Sequence, residues 1–209
     1  MRNLKRYAAM LLALALSLGL LAGCSLVKEV SFRVAMGSVP ATLDPALVST
    51  DEEKIVVSHL FENLMKLQSD GSGGSTAVSG VARSYQCDAT AEGQETYTFK
   101  LRSSAVWSDG TKVTAQDFVY AWKRLVDPAT GSKNARILDM VAGYSAARTG
   151  EDALQVSAPD DETFVVALSG RCPYFIDSVC TAAATMPVQS AAAAQENWSM
   201  SPDTLVTNG

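Results

Sequence analysis

The spacing of apolar residues divides the chain into strands and helices. Val30 to Met36 alternates apolar and polar positions, which predicts a strand. Gly37 to Pro45 breaks that pattern and reads as a loop carrying T-L-D-P. Thr50 then caps a helix, with Glu53 completing a capping box and Asp51 and Glu52 in the first turn, where negative charge suits the dipole. Val56, Val57, Leu60, Phe61, Leu64 and Met65 give this helix its buried face. Ser69 to Ser75 is Gly/Ser-rich and predicts a flexible surface loop. Val81 to Cys87 and Glu95 to Leu101 read as strands joined around Gly93. In the second, Tyr97, Phe99 and Leu101 face one side and Thr96, Thr98 and Lys100 the other.

The stretch from Val106 to Pro128 has the strongest pattern. Asp109-Gly110 marks a tight turn, because glycine accepts a positive φ without steric cost. Thr114 and Asp117 resemble a second capping box. Phe118, Ala121, Trp122 and Leu125 fall at i, i+3, i+4 and i+7, a single buried stripe. Lys123 and Arg124 suit the negative end of the helix, and Asp127-Pro128 stops it. Further on, Ala135 to Arg148 predicts a helix with Ile137, Leu138, Val141 and Tyr144 inward. Leu154 to Ala158 and Thr163 to Leu168 predict a hairpin across Pro159-Asp160-Asp161. Pro173 opens a helix to about Thr181, and the Ala-rich run Val188 to Glu196 predicts another. Strands and helices alternate without a strict βαβ period, which predicts a mixed α/β chain with mixed sheets.

Composition is ordinary for a globular protein: 209 residues, 47% hydrophobic and 19% charged. The N-terminus departs from that. Arg2, Lys5 and Arg6 precede an apolar run from Ala8 to Ala22, too short for a spanning helix and suited to a secretory leader. The run ends in Leu21-Ala22-Gly23-Cys24, similar to a bacterial lipobox, in which the Cys24 sulfur receives a diacylglycerol and the bond before it is cut. The three basic residues leave with the leader, so the remaining chain is more acidic than the formal net charge of −5. Such a chain repels phosphates, which argues against nucleic acid as a partner.

Candidate enzyme chemistry is sparse. His59 is the sole histidine and is expected as a surface or half-buried residue of its helix, so no His-rich zinc site and no supported Ser-His-Asp triad can be built. No G-x-x-x-x-G-K-[ST] phosphate loop is present. No cofactor is implied. Cys87, Cys172 and Cys180 are an odd set, expected to form no disulfide, with Cys87 as a small buried hydrophobe. Trp107 and Trp122 are expected in the core.

The order W-S-D-G-x-x-x-T-A-x-D-F-x-Y-x-W-x-R-L-x-D-P, running from Trp107 to Pro128, resembles the signature of the family 5 extracellular solute-binding proteins, receptors of ABC importers. G-S-x-x-x-T-L-D-P at Gly37 to Pro45, L-F-E-N-L at Leu60 to Leu64, T-Y-T-F-K-L-R at Thr96 to Arg102, P-Y-F at Pro173 to Phe175 and V-T-N-G at Val206 to Gly209 extend the resemblance. It implies a type II periplasmic-binding-protein-like fold (cluster C), with a first-lobe portion and an accessory domain, the second lobe missing. The implied organisation is a leader over residues 1–23, a tether and the start of the hinge lobe over 24–58, an accessory domain over 59–198, and a return to the hinge lobe over 199–209.

The implied function is capture of extracytoplasmic peptides by a monomeric receptor, lipid-anchored at Cys24 and working with an ABC permease, with no catalysis. A nickel, haem or sugar receptor of the same family, or a non-binding fragment, is the alternative. The resemblance places ligand contacts at Ser38, Val39, Pro40 and Ala41, a segment that pairs with the ligand's backbone as an added strand, and at Asn208. Pro40 has no N–H to give such a ladder. Where the peptide receptors often carry Pro-Tyr after the signature helix, this chain has Lys133-Asn134.

Overall fold

The computed structural model describes residues 35–209. The leader, Cys24 and most of the strand expected from Val30 to Met36 lie outside the described residues. Two long helices carry the sequence signals. Helix α1 spans Asp51–Leu60 and opens on the expected capping box, in which Thr50 Oγ1 accepts the Glu53 N–H while Glu53 accepts the Thr50 N–H. It ends earlier than its apolar pattern suggested. Phe61 closes it in extended conformation, so Leu64 and Met65 are buried from the chain beyond the helix. His59 is exposed on α1, as expected.

Helix α2 spans Ala115–Val126, and its whole stripe, Phe118, Ala121, Trp122 and Leu125, is buried. The Asp117 carboxylate accepts from the Thr114 N–H, the Thr114 hydroxyl and the Trp107 indole N–H, so one side chain ties the helix start to the turn before it. Burial raises the Asp117 pKa in spite of these donors.

Among the described residues, six strands form two sheets. Strands β1 (Met65–Ser69) and β2 (Ser75–Ser79) make an antiparallel hairpin that the sequence reading did not contain. Nearly all its residues are exposed or half-buried, so it lacks the apolar alternation that marks a strand. The loop between them is held by Asp70, whose carboxylate accepts the N–H of Ser72 and Gly74. Strands β3 (Ala82–Ala89), β4 (Glu95–Leu101), β5 (Val156–Asp160) and β6 (Thr163–Ala167) form a second sheet in the order β3-β4-β6-β5. Every pairing among the described strands is antiparallel, which corrects the expectation of mixed sheets. Strand β4 buries Tyr97, Phe99 and Leu101, the side its alternation indicated.

Helix α2 packs on this sheet. Trp122 meets Phe164 of β6 edge-on at 5.1 Å between ring centroids and Phe175 at 6.2 Å, and Phe118 lies 5.8 Å from Phe164. Pro159 lies within β5, which is tolerable because β5 is an edge strand and its outer N–H groups need no ladder partner. The other edge, β3, explains a second correction. Cys87 is exposed there, whereas Cys172 and Cys180 are buried, and all three are free thiols.

The expected helix from Ala135 to Arg148 is two short turns, Ala135–Leu138 and Tyr144–Ala147. Gly143 separates them at φ 81°, and a Cβ there would lie 1.9 Å from the Ala153 carbonyl oxygen. Close approach to the Ala153 backbone therefore wins over continuation of the helix. The segment opened by Pro173 is likewise a single π-type turn, Phe175–Val179, and the Ala-rich run is helical only over Ser190–Ala193. Residues Met36–Gly209 form one compact unit with a continuous core, in which Trp107, Trp122 and Trp198 are all buried.

Candidate ligand-binding site

The implied ligand segment, Ser38 to Ala41, is open to solvent. Val39 is 89% exposed, the most exposed large apolar residue among those described. The segment has its own donor arithmetic. Pro40 has no N–H, and the Ala41 N–H is donated to Glu53 Oε1 at 3.1 Å. Among the described residues nothing takes the N–H of Ser38 or Val39.

Polar side chains hold the chain immediately after it. Glu53, 2% exposed, accepts the N–H of Ser49 at 2.7 Å and of Thr50 at 3.0 Å on Oε2, besides the Ala41 N–H on Oε1. The N–H of Ser49, then that of Thr50, hold its pKa at about 2 against the opposing effect of burial, with Ala41 adding to them. The Asp44 carboxylate caps the 3₁₀ turn Pro45–Leu47 by accepting the Ala46 N–H at 3.0 Å. It also receives both ends of the Arg124 guanidinium, at 2.9 and 2.5 Å. Burial works to lower the Arg124 pKa, and the hydrogen bonds and charge of Asp44 more than offset it, so it rises. This bidentate pair joins the D of T-L-D-P to the R of the signature helix. The sequence reading missed it, although a buried Asp in a loop requires a cation or a set of donors.

Lys133 and Asn134 divide their roles. Lys133 is exposed, while the Asn134 carboxamide donates to the Val48 carbonyl at 2.6 Å and its N–H goes to the Ser132 hydroxyl at 3.0 Å. Ser132 in turn donates to the Ala46 carbonyl. Ser132 and Asn134 thus buttress the stretch from Pro45 to Val48. Asn208 lies apart, paired with the Glu62 main chain, accepting its N–H and donating to its carbonyl, both at 3.0 Å. The Gly209 N–H bonds Leu60 O at 3.0 Å. One N–H and one oxygen lone pair of the half-buried Asn208 amide are therefore spent within the fold, and its second N–H and second lone pair are not taken up by these bonds. A cavity of about 660 Å³ adjoins it, lined in part by Phe61, Glu62, Met65, Arg102 and Met186.

The chain as a whole is similar to known proteins. The family described as "Bacterial extracellular solute-binding proteins, family 5 Middle" matches residues 76–209. The chain belongs to that family. It is 37% identical over 195 residues to the periplasmic oligopeptide-binding protein OppA of Escherichia coli, covering 90% of this chain and 34% of the relative. The structure of the E. coli murein tripeptide binding protein MppA superposes with a TM-score of 0.72 at 37% identity, over 81% of this chain and 33% of that one. Haemophilus influenzae OppA in complex with RPPGFSPFR superposes with a TM-score of 0.73 at 33% identity, over 83% and 33%. The fold is that of the type II periplasmic binding proteins, and the chain spans about a third of the length of the curated relatives it matches.

Within the family frame the Glu53 carboxylate makes a distinct acid-stability prediction. Its pKa falls from 4.5 to about 2 on folding. A depressed carboxylate pKa adds stability that is complete above 4.5 and is lost as pH falls through about 2. At about 1.4 kcal/mol per unit, less some screening by nearby solvent, this contribution is roughly 2 kcal/mol. Urea denaturation between pH 5 and pH 2 is expected to show it in the wild type. In Glu53→Gln the protein starts lower, and that part of the acid slope is gone.

Proposed function

We propose that this chain is the front portion of an extracytoplasmic receptor that captures peptides and passes them to an ABC permease without altering them. The observation that carries the reading is the 33% identical match to a relative whose structure holds the peptide RPPGFSPFR. The local geometry agrees with it. An exposed segment keeps main-chain donors at Ser38 and Val39, and main-chain pairing suits a receptor of many peptides, because those groups are the same in every sequence. In this reading residues 1–23 are the leader and Cys24 carries the lipid anchor. Residues 24–58 begin the hinge lobe, 59–198 form the accessory domain and 199–209 return to the hinge lobe. A second lobe closes over the ligand about the hinge, one receptor per ligand, and the closed form docks on the permease. Among the described residues no helix is long and apolar enough to cross a membrane, and no group of three or more His, Cys, Asp or Glu residues could hold a metal ion.

Calorimetric titration with a pool of di- to pentapeptides tests the reading. The receptor made from its complete coding sequence is expected to bind saturably at micromolar or tighter affinity. The 209-residue chain by itself is expected to show no such binding, since it supplies one wall of the cleft. Micromolar binding by the short chain, or a complete receptor that ignores peptides and takes up nickel, haem or a sugar, would replace the proposal. Mass spectrometry of the membrane fraction is expected to find the diacylglycerol on Cys24.

A further inference from the structure

The segment from Ser38 to Ala41 has no buried side chain of its own. The tie nearest to it is the Glu53 carboxylate, which takes the Ala41 N–H on one oxygen and, on the other, the N–H of Ser49 and Thr50 and the Ser49 hydroxyl. One buried side chain on the first turn of α1 thus joins the stretch at Ala41 to the stretch at Ser49–Thr50. Between the two, Ala46 and Val48 are buried and Asp44 is locked to Arg124, so the far end of the loop is already fixed. The near end is fixed at Ala41.

We infer that Glu53 is a positioning residue for ligand capture, holding the Ser38–Ala41 segment in the form a ligand backbone meets and reserving its pairing groups to Ser38 and Val39. The inference rests on the reading that this segment lines the ligand. Its physical basis is preorganisation: a segment already ordered in the free receptor loses less conformational freedom when a ligand adds to it. Pro40 acts in the same direction through its fixed φ. Glutamine at position 53 keeps the size of the side chain and turns an amide nitrogen, itself a donor, toward N–H groups that need an acceptor.

The test uses the receptor made from its complete coding sequence. It compares wild type, Glu53→Gln and Val166→Ala, a core change in central strand β6 that lowers stability without touching the segment. Calorimetry with a peptide that the wild type binds gives Kd, and hydrogen exchange reads the amides of Ala41, Ser49 and Thr50. Glu53→Gln is expected to weaken binding about tenfold, through loss of preorganisation, with faster exchange at those three amides. Val166→Ala is expected to leave Kd unchanged. Glu53→Gln that keeps the protection of Ala41 overturns the inference. Failure of the site reading looks different: the Ala41 protection is lost while Kd stays at the wild-type value, which overturns any role in capture. If the wild type binds no peptide, the peptide reading fails, and the same comparison on the ligand it does retain decides Glu53.

Discussion

Trp122→Ala is expected to lower stability by about 4 kcal/mol, the range for truncating a large aromatic in a packed core. Trp122 is fully buried on α2 and meets Phe164 and Phe175, which belong to β6 and to the turn at Phe175–Val179. Its indole N–H donates to the Thr185 carbonyl at 2.9 Å, so truncation also leaves a buried acceptor without its partner. Removing one side chain thus loosens three contacts at once: helix to sheet, helix to the 175–179 turn, and helix to the chain at Thr185. Urea denaturation followed by tryptophan fluorescence would measure the loss. Trp122→Phe retains the apolar bulk and gives up the hydrogen bond, and is expected to fall about 2 kcal/mol short of wild type. A loss below about 1 kcal/mol in Trp122→Ala would mean that α2 does not hold the sheet in this way.

Asp44→Asn is expected to cost about 3 kcal/mol, because it leaves the Arg124 guanidinium charged, half-desolvated and without its counter-ion. The Asp44 side chain is 3% exposed and that of Arg124 18%. The loss is expected to show in the double-mutant cycle more than in either change alone. Asp44→Asn combined with Arg124→Met removes the charge along with its partner, so the pair of changes should cost clearly less than the sum of the single ones. Additive costs would show that the two side chains act independently. The ion pair also fastens the loop that follows the Ser38–Ala41 segment to the signature helix. Asp44→Asn is therefore expected to increase amide exchange around Ala46 as well as to reduce global stability.

The two expectations differ in how visible they were beforehand. The packing of Trp122 follows from spacing alone: Phe118, Ala121, Trp122 and Leu125 occupy one face of a helix, and a helix with such a face must bury it. The alternation in β4 and the Thr50–Glu53 box are of the same kind, since each depends on residues within a few positions of each other. The Asp44–Arg124 pair could not be seen that way. Its members are 80 positions apart, and only the folding of the Pro45–Leu47 turn onto α2 brings them together. The second role of Glu53 was hidden for a related reason. Its capping duty toward Thr50 is local, whereas its bond to the Ala41 N–H depends on how the preceding loop returns to the helix.

Sequence alone determined the helices with strong stripes and caps, the facing of β4, the place of His59 on a helix away from the buried stripe and the family resemblance, because these follow from local periodicity and from residue order. Tertiary structure decided what depends on neighbours distant in the chain. It exposed Cys87 by placing β3 at a sheet edge, and admitted Pro159 on the opposite edge. It paired β1 with β2 in spite of their weak pattern, and broke the Ala135–Arg148 helix where Gly143 meets the Ala153 carbonyl. It also turned the Asn208 amide onto the Glu62 main chain. In each of these the deciding contact is made by a group that no periodicity in the sequence could bring into view.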